Sequence, residues 1–533
     1  MKKRLVFLLV SLLLLLTALA GRLVSIQLID GAKYEEISGR QSMAILSGLS
    51  SRGTIFDRNG KSLTEMEESF IYLIEKRKMD DGAVALLEKV DAQEVNSYND
   101  RYYIYSTCVL DQEVCGTLCE EYGALALKTR QRYCEDQPAV HLIGYVNQLD
   151  ETGACGIEKD YDGILSSVET VYYGQTDGQG YLIPGLGIRI RGEAQDWGVL
   201  TTLDLDLQKA AEKVLADASV SGAIIVTDAA SGEILVSASS PVFSPFQIEE
   251  YLESNEKEFL NKSTKCEYPP GSIFKIIVAA AALEQGIATP ESVFTCKGYH
   301  KVDGIRINCS TGGKDGHGEI SLARAFSESC NSVFVQLGQL VGGENILKMA
   351  LAFGLSKEAV EGLSGQATGN LPTLEDTLGA GIGNLSIGQG KLLVTPMQVA
   401  GITQIIAADG IDQRLSLIRG TIEGVKGTVL LSHTGSARII TRETAGAIRD
   451  MMTETVLYGT ADNLALPEGT TAAGKTGSAE AVAGGNHTVH SWFTGYTPAA
   501  DPQYVITVFV ENGGSGRKSA VPLFEKLLKA IYS

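Results

Sequence analysis

The run IIVAAAAL (Ile276–Leu283) carries no polar side chain on any face. Wound as a helix, it offers no side that water would tolerate, so it must lie inside a large core. The 533 residues are enough to build one, in two or three domains. The segment before it, YPPGSIFK (Tyr268–Lys275), gives that helix a chemical meaning. Pro269 and Pro270 cannot continue a helix backwards, so it begins at or just before Ser272. The Ser272 hydroxyl then sits at the positive end of the helix dipole, which favours an alkoxide and later an oxyanion. Lys275 lies one turn on, on the same face. Burial lowers a lysine's pKa, and only a neutral amine can take a proton from a serine. Ser272 therefore reads as a nucleophile with Lys275 as its base. A capping serine followed by a surface lysine is the plainer alternative.

S-x-x-K also occurs at Ser254/Lys257, in the charged stretch ESNEKEF, and at Ser515/Lys518, in the Gly-rich GGSGRK. Both read as solvated surface. SESCNSVF places Ser329 and Asn331 two residues apart in an apolar helical stretch, where a bend would turn hydroxyl and amide into one cleft. The same S-x-N spelling at Ser97/Asn99 makes that signal weak alone. Lys475-Thr476-Gly477, in TTAAGKTGSAEA, occurs once among small residues that let a backbone lie against a ligand. Lys475 and Thr476 can grip a carboxylate while strand N–H groups point into the site. The letters from Gly469 to Thr476 also satisfy the phosphate-loop pattern G-x-x-x-x-G-K-[ST]. No proper apolar strand leads into Gly469, however, and Gly484-Gly485 would interrupt any helix after Thr476.

The N-terminus sets the compartment. After MKKR, residues Leu5–Gly21 carry no charge, and apolar residues resume beyond Arg22, giving a transmembrane helix over about 5–29. Three basic residues ahead of it keep the first four residues in the cytoplasm and export the rest, away from ATP. Ala18-Leu19-Ala20 resembles a signal-peptidase site, so a cleaved signal peptide is the competing reading. A formal net charge of -19 argues against a nucleic-acid partner. Of nine cysteines, Cys296 and Cys309 bracket a short loop and are the expected disulfide. Cys108, Cys115, Cys119 and Cys134 lack the paired C-x-x-C spacing of a zinc site, so no metal is expected. Cys330, inside the S-x-N motif, reads as a small buried thiol or as an oxidation-sensitive point.

Along the chain, Asp57-Arg58-Asn59-Gly60 looks like a tight turn between short strands, and GACGIEKDYDGIL (Gly153–Leu165) like a turn into a short helix. Asp204 or Asp206 can cap a helix over LQKAAEKVL, and Ser221–Ser239 reads as a β-hairpin. HSWFTGYTP and QYVITVFVEN supply two more strands, and VPLFEKLLKAIY a last helix. A mostly helical insert, roughly 245–465, separates the two sets of strands. The expected fold is α+β: one antiparallel sheet packed by helices, preceded by a mixed region over 30–200.

The order S-x-x-K, S-x-N, K-T-G is the active-site triplet of penicillin-recognising serine enzymes. With RGTIFDRNG, HLIGYV, GACGIEKDYDGIL, SIGQGKLLVTPMQVA (Ser386–Ala400) and SWFTGYTP, the chain resembles the monofunctional (class B) penicillin-binding proteins nearly end to end. The resemblance implies an uncleaved anchor, a non-catalytic pedestal over 30–200 and a transpeptidase domain over 201–533. It also implies that Ser272 attacks the penultimate D-Ala carbonyl of a stem peptide and that Ser329 relays a proton to the leaving D-Ala. Asn331 would hold the substrate amide, and Lys475 and Thr476 the terminal carboxylate. Gly477 and Ser478 would line the same substrate-binding site, and the N–H groups of Ser272 and Ser478 would form the oxyanion hole. β-Lactams would acylate Ser272, no cofactor is called for, and a membrane-embedded glycan polymerase of the SEDS type is the implied partner. A β-lactam sensor, a carboxypeptidase or β-lactamase, and a catalytically retired scaffold are the rival readings.

Overall fold

A computed structural model describes residues 2–25, 43–45, 52–95, 101–147, 152–167, 171–177, 179, 181–183, 188–191 and 197–533. Within the last range, 247, 253, 255–256, 311–314, 432–434 and 484–485 are not described. Ser97 and Asn99 lie outside the described residues, as do positions 26–29 of the expected membrane span. The first element, α1 (Lys2–Val24), is long and apolar enough over Val6–Val24 to cross a membrane, with a mean hydropathy of 2.4.

The chain forms two compact units, and the division is not a single cut near residue 200. One unit comprises 1–52, 67–132 and 167–196; the other takes 53–66, 133–166 and 197–533. The first contains an antiparallel sheet in the order Gln93–Val95, Tyr102–Thr107, Glu67–Glu75, Leu125–Gln131. Helices Asp81–Lys89 and Gln112–Glu120 cover it through Ala83, Leu87, Val114 and Leu118, packed on Tyr72 and Ile74. In the second unit, Thr54–Phe56 pairs in parallel with Trp197–Thr201, which continues into Ile418–Glu423. That long-range pairing makes 53–66 part of this unit, and the Asp57–Gly60 turn is closed by Asp57 Oδ1 accepting from the Asn59 and Lys61 N–H groups.

The centre of the second unit is a five-stranded antiparallel sheet. Helix α2 (Leu205–Ala218), capped by Asp204, leads into β1 (Gly222–Asp228) and β2 (Ile234–Ser240), the expected hairpin. The insert contributes α3 (Lys275–Glu284), α4 (Leu322–Ser327), α5 (Asn331–Val341), α6 (Pro396–Ala407) and α7 (Arg442–Leu457). The chain then returns as β3 (Ala473–Ala483), β4 (Asn486–Thr497), β5 (Tyr504–Val510) and α8 (Ala520–Ile531). The strand order is β2-β1-β5-β4-β3, which puts β3 at an edge. Alternation along β5 sorts its side chains to opposite faces. Ile506 and Val508 join the cluster with α2 and α8, while Val505 and Phe509 join the insert helices. Ile276–Ala282 of α3 are fully buried in that second cluster. Each buried Ile or Val there contributes about 1.5–3 kcal/mol, so the all-apolar run becomes the central post of the insert.

Candidate active site

The nucleophile turn is held from three directions. Residues Gly271–Phe274 form a short 3-10 turn that runs directly into α3 at Lys275. Three residues per turn eclipse Ser272 and Lys275 more closely than an α-helical start would. Ahead of the turn, Tyr268 exchanges two backbone hydrogen bonds with Val394, and its hydroxyl donates to Glu511 Oε1 at 3.1 Å. The Trp492 indole N–H of β4 donates to the Pro269 carbonyl at 3.1 Å. Gly271 N–H donates to the Gly388 carbonyl at 2.9 Å, within the SIGQG landmark. Gly271 has φ +54°, and a Cβ there would approach the Ser478 carbonyl to 2.8 Å, so a side chain fits neither the backbone nor the space.

Ser272 is half-buried, and Lys275 beneath it is fully buried. Lys275 Nζ donates to the Ser329 carbonyl at 2.7 Å and to Asn331 Oδ1 at 2.8 Å, and lies 3.2 Å from Ser329 Oγ. A charged ammonium uses three protons on these three oxygens. A neutral amine uses two, and its lone pair can then receive the Ser329 hydroxyl proton. Burial pulls the Lys275 pKa down to about 7, partly offset by the neighbouring Cys330 and Cys309 sulfurs. The Phe334 ring, 5.3 Å away, walls the amine from water.

The bend that carries S-x-N is strained. Ser329 has φ +55° in the gap between α4 and α5, which turns both its oxygens toward Lys275. Asn331 opens α5 and donates through Nδ2 to the Asn308 carbonyl at 3.1 Å. On the other side stands β3. Lys475 is fully buried, with Nζ 3.2 Å from the Thr476 carbonyl and 5.5 Å above the Phe326 ring. Burial first, and the charge of Lys275 second, hold its ammonium well below the usual lysine range. Among the described residues no carboxylate pairs with either lysine. A ligand carboxylate arriving beside Lys475 would supply the counter-charge that its buried ammonium lacks. Thr476 Oγ1 meets Thr460 Oγ1 at 2.6 Å, a partner that no sequence pattern singles out. Gly477 packs where a Cβ would lie 2.9 Å from Ile273, and exposed Ser478 accepts from the Gly516 N–H at 3.1 Å.

Lys475 and Thr476 lie inside a strand rather than at the start of a helix, which removes the phosphate-loop reading. Ser254 donates to Glu258 at 2.6 Å, and Lys257 and Lys518 are exposed. The expected Cys296–Cys309 disulfide is a correction: the two are not joined. Cys309 Sγ instead faces Cys330 Sγ at 3.5 Å and His317 Nδ1 at 3.4 Å, well beyond an S–S bond of about 2.05 Å.

Residues 222–529 match the penicillin binding protein transpeptidase domain. The stage V sporulation protein D of Bacillus subtilis is 28% identical over 545 residues, covering 96% of this chain and 82% of that protein. The peptidoglycan D,D-transpeptidase MrdA of Haemophilus influenzae is 24% identical over 594 residues, covering 97% and 90%. A chain in a solved structure of a peptidoglycan synthase complex superposes with a TM-score of 0.72 at 23% identity, covering 99% of this chain and 98% of its own. The matched domain contains S-x-x-K, S-x-N and K-T-G and spans more than half of the protein, so the chain belongs to the penicillin-binding protein transpeptidase family.

Proposed function

We propose that this chain is a serine-type peptidoglycan D,D-transpeptidase, anchored by α1 with its N-terminus in the cytoplasm and both compact units outside. The observation that carries the reading is the Lys275 amine, buried, shifted toward neutrality and held by Ser329 and Asn331 one turn from Ser272. In the forward step Ser272 Oγ attacks the penultimate D-Ala carbonyl, and its proton passes to Lys275 Nζ. The N–H groups of Ser272 and Ser478 receive the oxyanion, and Lys475 and Thr476 hold the terminal carboxylate. The tetrahedral intermediate collapses with cleavage of the C–N bond. The proton moves from Lys275 through Ser329 Oγ, 3.2 Å away, onto the leaving D-Ala amine. An amine of a second stem peptide then attacks the ester, re-forming an amide and returning the proton to Ser272. β-Lactams present a strained amide and a carboxylate in the same relation and acylate Ser272.

A membrane-embedded glycan polymerase of the SEDS type is the proposed partner. Its support is the full-length likeness to a chain from a peptidoglycan synthase complex. The deciding experiment incubates the full chain in detergent with a stem-peptide thioester and an amine acceptor. Amide product that depends on Ser272 supports the reading. Hydrolysis alone at saturating amine overturns transpeptidation in favour of a carboxypeptidase.

A further inference from the structure

Four side chains beside the S-x-N bend converge without any role in the chemistry above. The donor atoms of Cys296, Cys309, His317 and Cys330 all lie within 4.8 Å of one another. We propose that they bind one zinc ion, and that this ion pins the Ser329–Asn331 bend to the loop that precedes it. Spacing gives no sign of this site, because its four donors are spread over Cys296–Cys330 without a C-x-x-C pair.

The dimensions fit a tetrahedral ion. Zn–S bonds of about 2.3 Å and Zn–N bonds of about 2.0–2.1 Å place neighbouring donors about 3.5–3.8 Å apart. Cys309 Sγ lies 3.5 Å from Cys330 Sγ and 3.4 Å from His317 Nδ1, so two of the six edges are within about 0.3 Å of the tetrahedral length. Three soft sulfurs and one imidazole match zinc rather than calcium or magnesium, which take oxygen ligands. Four protein donors complete the shell and leave no position for substrate, which makes the site structural. Cys296, Cys309 and Cys330 are buried, and half-exposed His317 forms the side open to solvent.

The backbone is arranged for convergence. Cys296 ends strand Val293–Cys296, Cys309 follows strand Ile305–Asn308, and His317 precedes strand Gly318–Ser321. Gly316 has φ +65°, and a Cβ there would lie 2.2 Å from the Cys296 carbonyl. Only glycine lets the chain pass that close and deliver His317 to the three sulfurs. Cys309 N–H donates to the Gly298 carbonyl at 2.8 Å, which fixes the second ligand. The fourth, Cys330, is the N-cap residue of α5, between the two residues that hold Lys275.

That placement gives the ion its consequence. Asn331 already donates to the Asn308 carbonyl, next to Cys309. A bond from Cys330 to zinc adds a second tie one residue away and holds Ser329 in its left-handed conformation. The metal-binding claim stands on the cluster alone; the claim that the ion positions Ser329 and Asn331 rests on the transpeptidase reading.

The test uses the full chain purified in detergent without added chelator. Elemental analysis is expected to give about one zinc per chain. Cobalt substitution should produce the thiolate-to-metal absorption of a tetrahedral site. Cys296→Ser and the half-exposed His317→Gln should each retain less than about a tenth of the wild-type zinc after dialysis against a mild chelator. Should these variants fail to fold, the wild type stripped under reducing conditions serves instead and should regain one equivalent of zinc and its original melting temperature. Wild-type protein without zinc and with a Cys309–Cys330 disulfide in its intact mass overturns the site. So does full zinc content in a Cys296→Ser/His317→Gln double variant. Stripping the zinc should slow penicillin acylation about 10–100-fold. Unchanged acylation of zinc-free protein overturns the positioning role while leaving the metal site standing.

Discussion

Ser272–Lys275 and Ser515–Lys518 share a spelling and differ in everything around it. The first lysine is fully buried against Phe334, with its amine on three oxygens of the S-x-N bend. The second is exposed, and its serine closes a turn into α8 by accepting the Lys518 N–H on its carbonyl at 3.0 Å. Spacing brings a hydroxyl and an amine onto one face in both places. Only burial makes the amine a base, and exposed Lys518 has none. The lesson is that an apolar helix after the motif, and not the motif, separates a nucleophile from surface.

The comparison can be attacked from its strongest claim downward. Ser272→Ala should abolish covalent labelling by a fluorescent penicillin, whereas Ser515→Ala should label like wild type; a label that persists or moves would break the contrast. Lys275→Ala should slow acylation about 10²–10⁴-fold in stopped-flow measurements, and a near-normal rate would remove its role as base. Because burial brings Lys275 to about 7, its lone pair is lost below that pH. Wild-type acylation should therefore fall about tenfold per pH unit on the acid side and level off above it; a flat profile from pH 5 to 8 would contradict this. Thr460→Val removes one hydroxyl partner of Thr476, worth about 1 kcal/mol, and should raise the half-saturating β-lactam concentration about fivefold with little change in the acylation step. Lys257→Ala and Lys518→Ala should change acylation by less than about twofold, since exposed charges contribute little.

What the sequence made legible follows the same logic. The β1–β2 hairpin, the C-terminal strands and α8 stand out because their apolar residues alternate or recur with regular periods. Strand β3 does not, since AGKTGSAEAVA has few β-branched or aromatic side chains; its place comes from the β4 ladder. Nor could local pattern show that Thr54–Phe56 joins the larger unit, because its partner lies at Trp197–Thr201. At the site, Ser272, Lys275, Ser329, Asn331 and Lys475 are legible from their motifs, and the fold brings Lys275, Ser329 and Asn331 into direct contact. His317 gave no signal as a lone histidine. The disulfide expectation failed because a spacing between Cys296 and Cys309 says nothing of a third sulfur arriving from Cys330.

The left-handed backbone at Ser329 has a consequence for how this protein can vary. A non-glycine residue in that conformation costs about 1–2 kcal/mol, and glycine or asparagine would relieve it. Neither supplies the hydroxyl that lies 3.2 Å from the Lys275 amine. A library of all substitutions at position 329, sorted once for folded protein and once for penicillin labelling, should therefore yield two populations that scarcely overlap. The residues that make the bend most comfortable are the ones that silence it.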